Sequence, residues 1–188
     1  MIPVRWRWWR RTRAHAGDWD DELAASERRI ARWRKAGARI GPGCLVLGAS
    51  LPLEPWLIEL RAGVKVAGGV TFVAHDGAAE LLRDREPDAQ IFGRIVVGER
   101  TLIGHGSLLL AGTTLGADCV VAAGSVLRGR YCANSVIAGN PARVVGRASL
   151  LKRLLARHPQ AEIRLVTALV QVQKLREQLL CLISGAAE

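Results

Sequence analysis

From Ile40, an aliphatic or similar residue recurs at every sixth position: Ile40, Val46, Pro52, Ile58, Val64 and Val70. The spacing resumes with Val97, Ile103, Leu109, Leu115, Val121 and Leu127. Two positions before the next member of each run lie mostly small residues: Cys44, Ser50, Ala62, Gly68 and Ala74, then Thr101, Ser107, Thr113, Cys119 and Ser125. Trp56 and Tyr131 are the bulky exceptions, and Gly follows the aliphatic position at Gly41, Gly98, Gly104 and Gly116. An amphipathic α-helix repeats its apolar residues at three and four, and a half-buried strand repeats them at two. A period of six is neither. It describes a short strand plus a corner, and three such units close a triangular coil. Coils stack at the strand spacing of about 4.8 Å. Backbone hydrogen bonds then run between coils, leaving free edges at the two ends of the stack. The predicted fold is mainly β: a parallel β-helix of hexapeptide repeats.

The two runs are out of phase, because Val70 and Val97 are not separated by a multiple of six. The segment 76–94, rich in charge and containing Pro87, breaks the repeat and is predicted to loop out of a β-helix spanning 38–147. Long excursions from regular scaffolds tend to carry function. Helices are predicted at both ends. One occupies 18–37, capped by Asp18 or Asp20, running to about Lys35 and stopped by Gly37, with Leu23, Ile30 and Trp33 covering the first coil. A C-terminal extension over 148–188 reads as two helices, Leu150 to Arg157 and Ala161 to about Ile183, broken at His158-Pro159. Its stripe of Leu165, Leu169, Val172 and Leu179 suits packing on the β-helix or between subunits.

Composition agrees with thin aliphatic layers: 49% of the 188 residues are hydrophobic, yet aromatics make up 5%. Four of the six Trp (Trp6, Trp8, Trp9, Trp19) lie in the first twenty residues. The net charge of +10 would suit a polyanionic partner, but no nucleic-acid-binding motif accompanies it, and no nucleic-acid partner is expected. The basic residues gather instead in an N-terminal arm, 1–17, and late in the body at Arg128, Arg130, Arg143 and Arg147. In the arm, residues 1–13 combine Arg with interfacial Trp, a pattern suited either to peripheral contact with an anionic membrane face or to a plain basic tail. Cys44, Cys119, Cys132 and Cys181 show no metal-like pairing and are expected to be reduced. No apolar run is long enough to span a bilayer, and no signal-peptide core follows the basic start, so a cytoplasmic protein is expected.

The stretch Ile103 to Gly146 contains VVAAGSVL (Val120 to Leu127) and the closure AGNPARVV (Ala138 to Val145). It resembles the C-terminal half of the hexapeptide-repeat acyltransferases, in the branch of maltose, galactoside, virginiamycin-type and polysaccharide O-acetyltransferases. VTFVAHDG (Val70 to Gly77) resembles the place where such enzymes carry their catalytic histidine. The resemblance covers roughly residues 40 to 147. It implies a left-handed β-helix, a homotrimer with its sites between neighbouring coils, acetyl-CoA as co-substrate, and O-acetyl transfer to a sugar hydroxyl, such as that of a surface-polysaccharide precursor.

Transfer of an acetyl group from a thioester needs a base to take the proton of the attacking hydroxyl or amine, and histidine titrates in the right range. The resemblance assigns that role to His75, at the mouth of the predicted loop. Asp76 is a candidate for orienting the imidazole or contacting the acceptor. Glu80, Arg83 and Asp84 are candidates for the acceptor pocket, against the plainer reading of a solvated loop. Ala122, Ala123 and Gly124 match the family's pantetheine contact, and Gly104 and His105 lie near the expected thioester end. Arg143 matches a basic position near the adenosine 3′-phosphate, while Arg128-Gly129-Arg130 departs from the usual Thr-Lys order there. A zinc enzyme on this fold needs three histidines. The body carries His75 and His105, so no metal is expected. An N-acyltransferase of a nucleotide sugar, an antibiotic acetyltransferase and a catalytically silent scaffold remain as alternatives.

Overall fold

In a computed structural model, which describes residues 16–82 and 84–156, the strands wind into a triangular coil. The first coil contributes β1 (Arg39–Ile40) and β2 (Leu45–Val46), and its third side is irregular. The second contributes β3 (Ile58–Leu60), β4 (Lys65–Val66) and β5 (Thr71–Val73). An excursion follows that carries β6 (His75–Asp76) and β7 (Ile91–Phe92). The third coil then has β8 (Ile95–Val97), β9 (Leu102–Ile103) and β10 (Leu108–Leu110). The fourth has β11 (Thr114–Leu115), β12 (Val120–Val121) and β13 (Val126–Leu127), and β14 (Arg130–Tyr131) with β15 (Ser135–Gly139) begins a fifth. The three faces are the sheets β1-β3-β8-β11-β14, β2-β4-β9-β12-β15 and β5-β10-β13, all with parallel pairing. This is the hexapeptide-repeat parallel β-helix expected.

Each face stacks one inward ladder. Leu60, Val97 and Leu115 align on the first; Val46, Val66, Ile103, Val121 and Ile137 on the second; Phe72, Leu109 and Leu127 on the third. All are buried. Between them, Thr101, Ser107, Thr113 and Ser125 are buried with their hydroxyls donating to backbone carbonyls of the coils. Small hydroxylated residues at these positions thus tie coil to coil without leaving an unpaired polar atom.

Apart from the excursion, the ladder departs from the six-residue count twice: in the first coil, and after Leu127, where Leu115 pairs with Tyr131 and Val121 with Ile137, two residues short of three full hexads. Ile58, Val64 and Val70 do not continue the ladder of Ile40 and Val46: Ile40 pairs with Leu60, Val46 with Val66, and Ile58 with Ile95. The chain slips by two residues in 47–57, where Pro55–Leu57 form a 3-10 turn. Side chains in a strand point to the same face at every second residue, so a slip of two preserves an apolar inward pattern. Ile58 and Leu60 are both buried, and a six-residue count cannot distinguish them.

The lower edge is closed by α1 (Ala16–Lys35). Its Ser26 hydroxyl accepts the Val46 amide at 2.8 Å, Arg29 donates to the Val46 carbonyl, and Arg34 donates to the carbonyls of Ile40 and Gly41. These bonds satisfy backbone groups that a further coil would otherwise take. Ile30 and Trp33 are buried as expected, and Trp33 meets Phe72 edge-on at 5.6 Å. Leu23, expected on the same side, is exposed instead. At the upper end, β16 (Ala142–Arg147) folds back antiparallel on β15 around the cis Asn140–Pro141 peptide. The AGNPARVV closure is this hairpin. The helix α2 (Ala148–Ala156) follows, with the Ser149 amide donating to the Asn134 side chain at 2.7 Å. Most of the N-terminal arm, the second C-terminal helix and Arg83 lie outside the described residues. Among the described residues, no helix is long and apolar enough to cross a membrane.

Candidate active site

The excursion leaves the scaffold after β5 and returns before β8. Its neck is pinned by the Gly93 amide, which donates to the Ala74 carbonyl at 2.8 Å, and by β6 pairing antiparallel with β7. Gly93 is required here: a Cβ on it would lie 2.5 Å from the Gly112 amide nitrogen of the coil above. His75 therefore stands on a short two-stranded neck, rooted in a buried Ala74. Between the strands, Gly77–Leu82 form 3-10 turns that carry Glu80, and exposed Asp84 follows.

His75 Nδ1 lies 3.1 Å from the Glu54 carboxylate. The Glu54 side chain is 13% exposed and the imidazole 41%, so the carboxylate is held inside while the ring remains accessible. Glu54 comes from the irregular third side of the first coil, just before the 3-10 turn at Pro55. The slip of two residues that disturbs the ladder thus bulges the chain at the corner beneath the excursion and brings this carboxylate to the imidazole. Sequence reading did not single out Glu54. No local pattern marked it, because the six-residue count runs on through Pro52 and Ile58.

Asp76 makes two contacts of its own. Its carboxylate accepts the Ala78 amide at 3.0 Å and pairs with Arg128 at 2.7 Å. The Ala78 amide first, and the Arg128 guanidinium second, hold the Asp76 carboxyl below the usual carboxylate range. Arg128 thereby ties the start of the excursion to the fourth coil.

Gly104, His105, Ala122, Ala123 and Gly124 come together at a different corner, between the second and third faces. Gly104 packs so closely under the next coil that a Cβ would sit 2.5 Å from the Ala123 amide nitrogen. The Gly124 amide donates to the His105 carbonyl at 2.8 Å. The His105 ring lies over Gly68 and Gly69, whose missing side chains make the space for it. A Cβ on Gly124 would meet nothing within 4 Å, so the corner presents backbone and small side chains to the outside. Arg143 lies on β16 in the closing hairpin, where it donates to the Ala142 carbonyl at 3.0 Å. His75 and His105 thus stand at opposite ends of the third face.

Comparison with known proteins identifies the family. The family model for bacterial transferase hexapeptide (six repeats) matches residues 94–129. The chain is 36% identical over 115 residues to Protein CapG of Staphylococcus aureus, covering 60% of this chain and 67% of that protein. It is 43% identical over 51 residues to the putative lipopolysaccharide biosynthesis O-acetyl transferase WbbJ of Escherichia coli K12, covering 27% of this chain and 26% of that protein. Among solved structures, a maltose O-acetyltransferase from Clostridium difficile 630 shares the fold with a TM-score of 0.52 and 22% identity, over 64% of this chain and 75% of that one. A Vibrio cholerae hexapeptide-repeat acetyltransferase, solved with acetyl coenzyme A, does so with a TM-score of 0.54 and 20% identity, over 79% of this chain and 93% of that one. Repeat, closure and relatives agree: the chain belongs to the bacterial hexapeptide-repeat transferase family.

Proposed function

We propose that the protein is an acetyl-CoA-dependent O-acetyltransferase acting on a sugar hydroxyl, with His75 as general base and Glu54 as the group that orients it. The contact between His75 Nδ1 and the Glu54 carboxylate at the neck of the excursion carries this reading. A carboxylate on Nδ1 favours the tautomer with the proton on that nitrogen, leaving the Nε2 lone pair free for a substrate hydroxyl. As the hydroxyl oxygen attacks the thioester carbonyl, its proton passes to Nε2, and Glu54 stabilises the imidazolium. When the tetrahedral adduct collapses, the carbon–sulfur bond breaks and the imidazolium returns the proton to the departing thiolate. The products are an acetyl ester and CoA.

The corner formed by Gly104, His105, Ala122, Ala123 and Gly124 suits the extended arm of the co-substrate. Backbone groups there are reachable because no bulky side chain covers them, and Arg143 is the cation placed to meet a phosphate. The excursion supplies the acceptor side, with Asp76 and Arg128 fixing its stem and Glu80 and Asp84 on its turns. The names of WbbJ and of the maltose enzyme favour sugar O-acetylation over other acceptors. A homotrimer in the cytoplasm is part of the proposal, with the outward side chains of the third face, Val73, Leu108 and Leu110, partly buried in the single chain and suited to a neighbour.

The test is release of CoA thiol from acetyl-CoA across a panel of sugars, nucleotide sugars and antibiotics. Turnover with one acceptor, reduced about 10²- to 10⁴-fold in His75→Ala with CoA binding retained, is the expected result. Turnover that survives His75→Ala refutes the assignment.

A further inference from the structure

Between α1 and the irregular third side of the first coil lies a cavity of about 520 Å³, lined by Arg28, Arg29, Arg32, Trp33, Ser50 and Leu51 among others. Arg32 stands four residues after Arg28 and three after Arg29, the spacings that bring side chains together on one side of a helix. Arg29 is engaged by the Val46 carbonyl and Glu22. Among the described residues, no acidic partner accompanies Arg28 or Arg32, and no carboxylate lines the cavity. Trp33, buried beneath, supplies a rigid apolar floor.

Three guanidinium groups around one cavity repel each other and weaken the helix that carries them. The capping of the first coil does not need them all, because Ser26, Arg29 and Arg34 make the bonds to its edge. A planar, multidentate donor set of this kind matches a phosphate or pyrophosphate group. One wall of the cavity belongs to the same irregular side of the first coil that carries Glu54. Leu51, in its wall, is three residues from Glu54, a span of at most about 10 Å along the chain.

We propose that this cavity binds the phosphate or pyrophosphate group of the acceptor, so that the enzyme acetylates an anionic, diphosphate-linked sugar rather than a free one. The acceptor role rests on the acetyl-transfer reading above; the anion site does not. A nucleoside diphosphate sugar and a polyprenyl diphosphate sugar present the same chemistry, and the assay separates them.

Inorganic pyrophosphate titrated calorimetrically into the full-length protein is expected to bind. The Arg28→Ala/Arg32→Ala variant, whose changes lie on exposed positions, is expected to weaken binding by at least about tenfold for each guanidinium lost. Arg28→Lys/Arg32→Lys is expected to restore part of it. In turnover assays, the double alanine variant is expected to raise KM for the phosphorylated acceptor at least about tenfold, leaving kcat and the KM for acetyl-CoA nearly unchanged. Nucleoside-linked and polyprenyl-linked sugars compared side by side identify the carrier. Pyrophosphate that fails to bind, or binds both proteins equally, overturns the site. An unphosphorylated sugar accepted as readily as its diphosphate overturns the acceptor role. Arginine-dependent pyrophosphate binding in a protein that releases no CoA thiol with any acceptor upholds the site and refutes acetyl transfer.

Discussion

Replacing Gly98 by Ala tests the stacking of the coils where they lie close together. Gly98 follows Val97 at the end of β8, and its amide donates to the Leu115 carbonyl of the coil above at 2.9 Å. An added Cβ would lie 2.3 Å from the Gly116 carbonyl carbon and 2.5 Å from both the Gly116 oxygen and the Ala117 nitrogen. All three are backbone atoms, so no side-chain rotation relieves the clash, and the third and fourth coils must separate locally. Overpacking a well-filled interior costs about 1–3 kcal/mol, and loss of the adjoining hydrogen bond adds about 1 kcal/mol. The expected destabilisation is about 2–4 kcal/mol, or a fall in Tm of roughly 4–16 °C for a chain of this size. Two glycines serve as internal references. A Cβ added at Gly77 would meet nothing within 4 Å, and its φ is not left-handed, so Gly77→Ala should be neutral or stabilising by up to about 1 kcal/mol. Gly106 also faces open space but has φ +66°, so Gly106→Ala should cost roughly 1–2 kcal/mol in backbone strain alone. Urea and thermal unfolding of the three variants at one protein concentration rank them, the fixed concentration guarding against linkage to assembly. Gly98→Ala unfolding within about 1 kcal/mol of Gly77→Ala, less than the overpacking cost alone, would refute the register that places β8 directly beneath β11.

Ser26→Ala leaves the buried Val46 amide without its acceptor and is expected to cost about 1–3 kcal/mol in urea unfolding; a neutral result would mean that α1 does not cap the first coil. Burial pushes the thiols of Cys44 and Cys119 up, whereas Cys132 is exposed, so in a Cys181→Ser background iodoacetamide followed by peptide mapping should label Cys132 first. The Asp76 carboxyl is depressed in the folded state, so its contribution is present above the ordinary carboxylate value of 3.8 and is lost as pH falls through the lower folded value. Limited proteolysis within 77–90 should therefore accelerate in that acid window for the wild type, while Asp76→Asn should be cleaved faster already at neutral pH and show no such step.

The period of six was legible because every coil repeats the same steric demand: an aliphatic residue inward, a small one before it, and glycine where coils touch. The excursion interrupts that demand: Asp76 to Arg94 lack the pattern, and β8 begins at Ile95. The slip between Val46 and Leu60 was hidden, because a two-residue shift leaves every inward position apolar. Glu54 was hidden with it. Its approach to His75 depends on which corner of the first coil bulges, a property of the closed coil and not of any local motif. Asp76 and Arg128 show the converse. Each is conspicuous in the sequence, yet 52 residues of intervening chain must be wound before their pairing is visible. The cavity beside the α1 arginines exists only once the first coil supplies its opposite wall.

The account turns on the pair formed by His75 and Glu54, and the most direct measurement compares wild type, His75→Asn and Glu54→Gln for CoA thiol release, with acetyl-CoA affinity measured on the same samples. The expected result is a loss of kcat of about 10²- to 10⁴-fold in His75→Asn, a smaller loss in Glu54→Gln, and unchanged affinity for acetyl-CoA in both. Full turnover in His75→Asn would contradict the account.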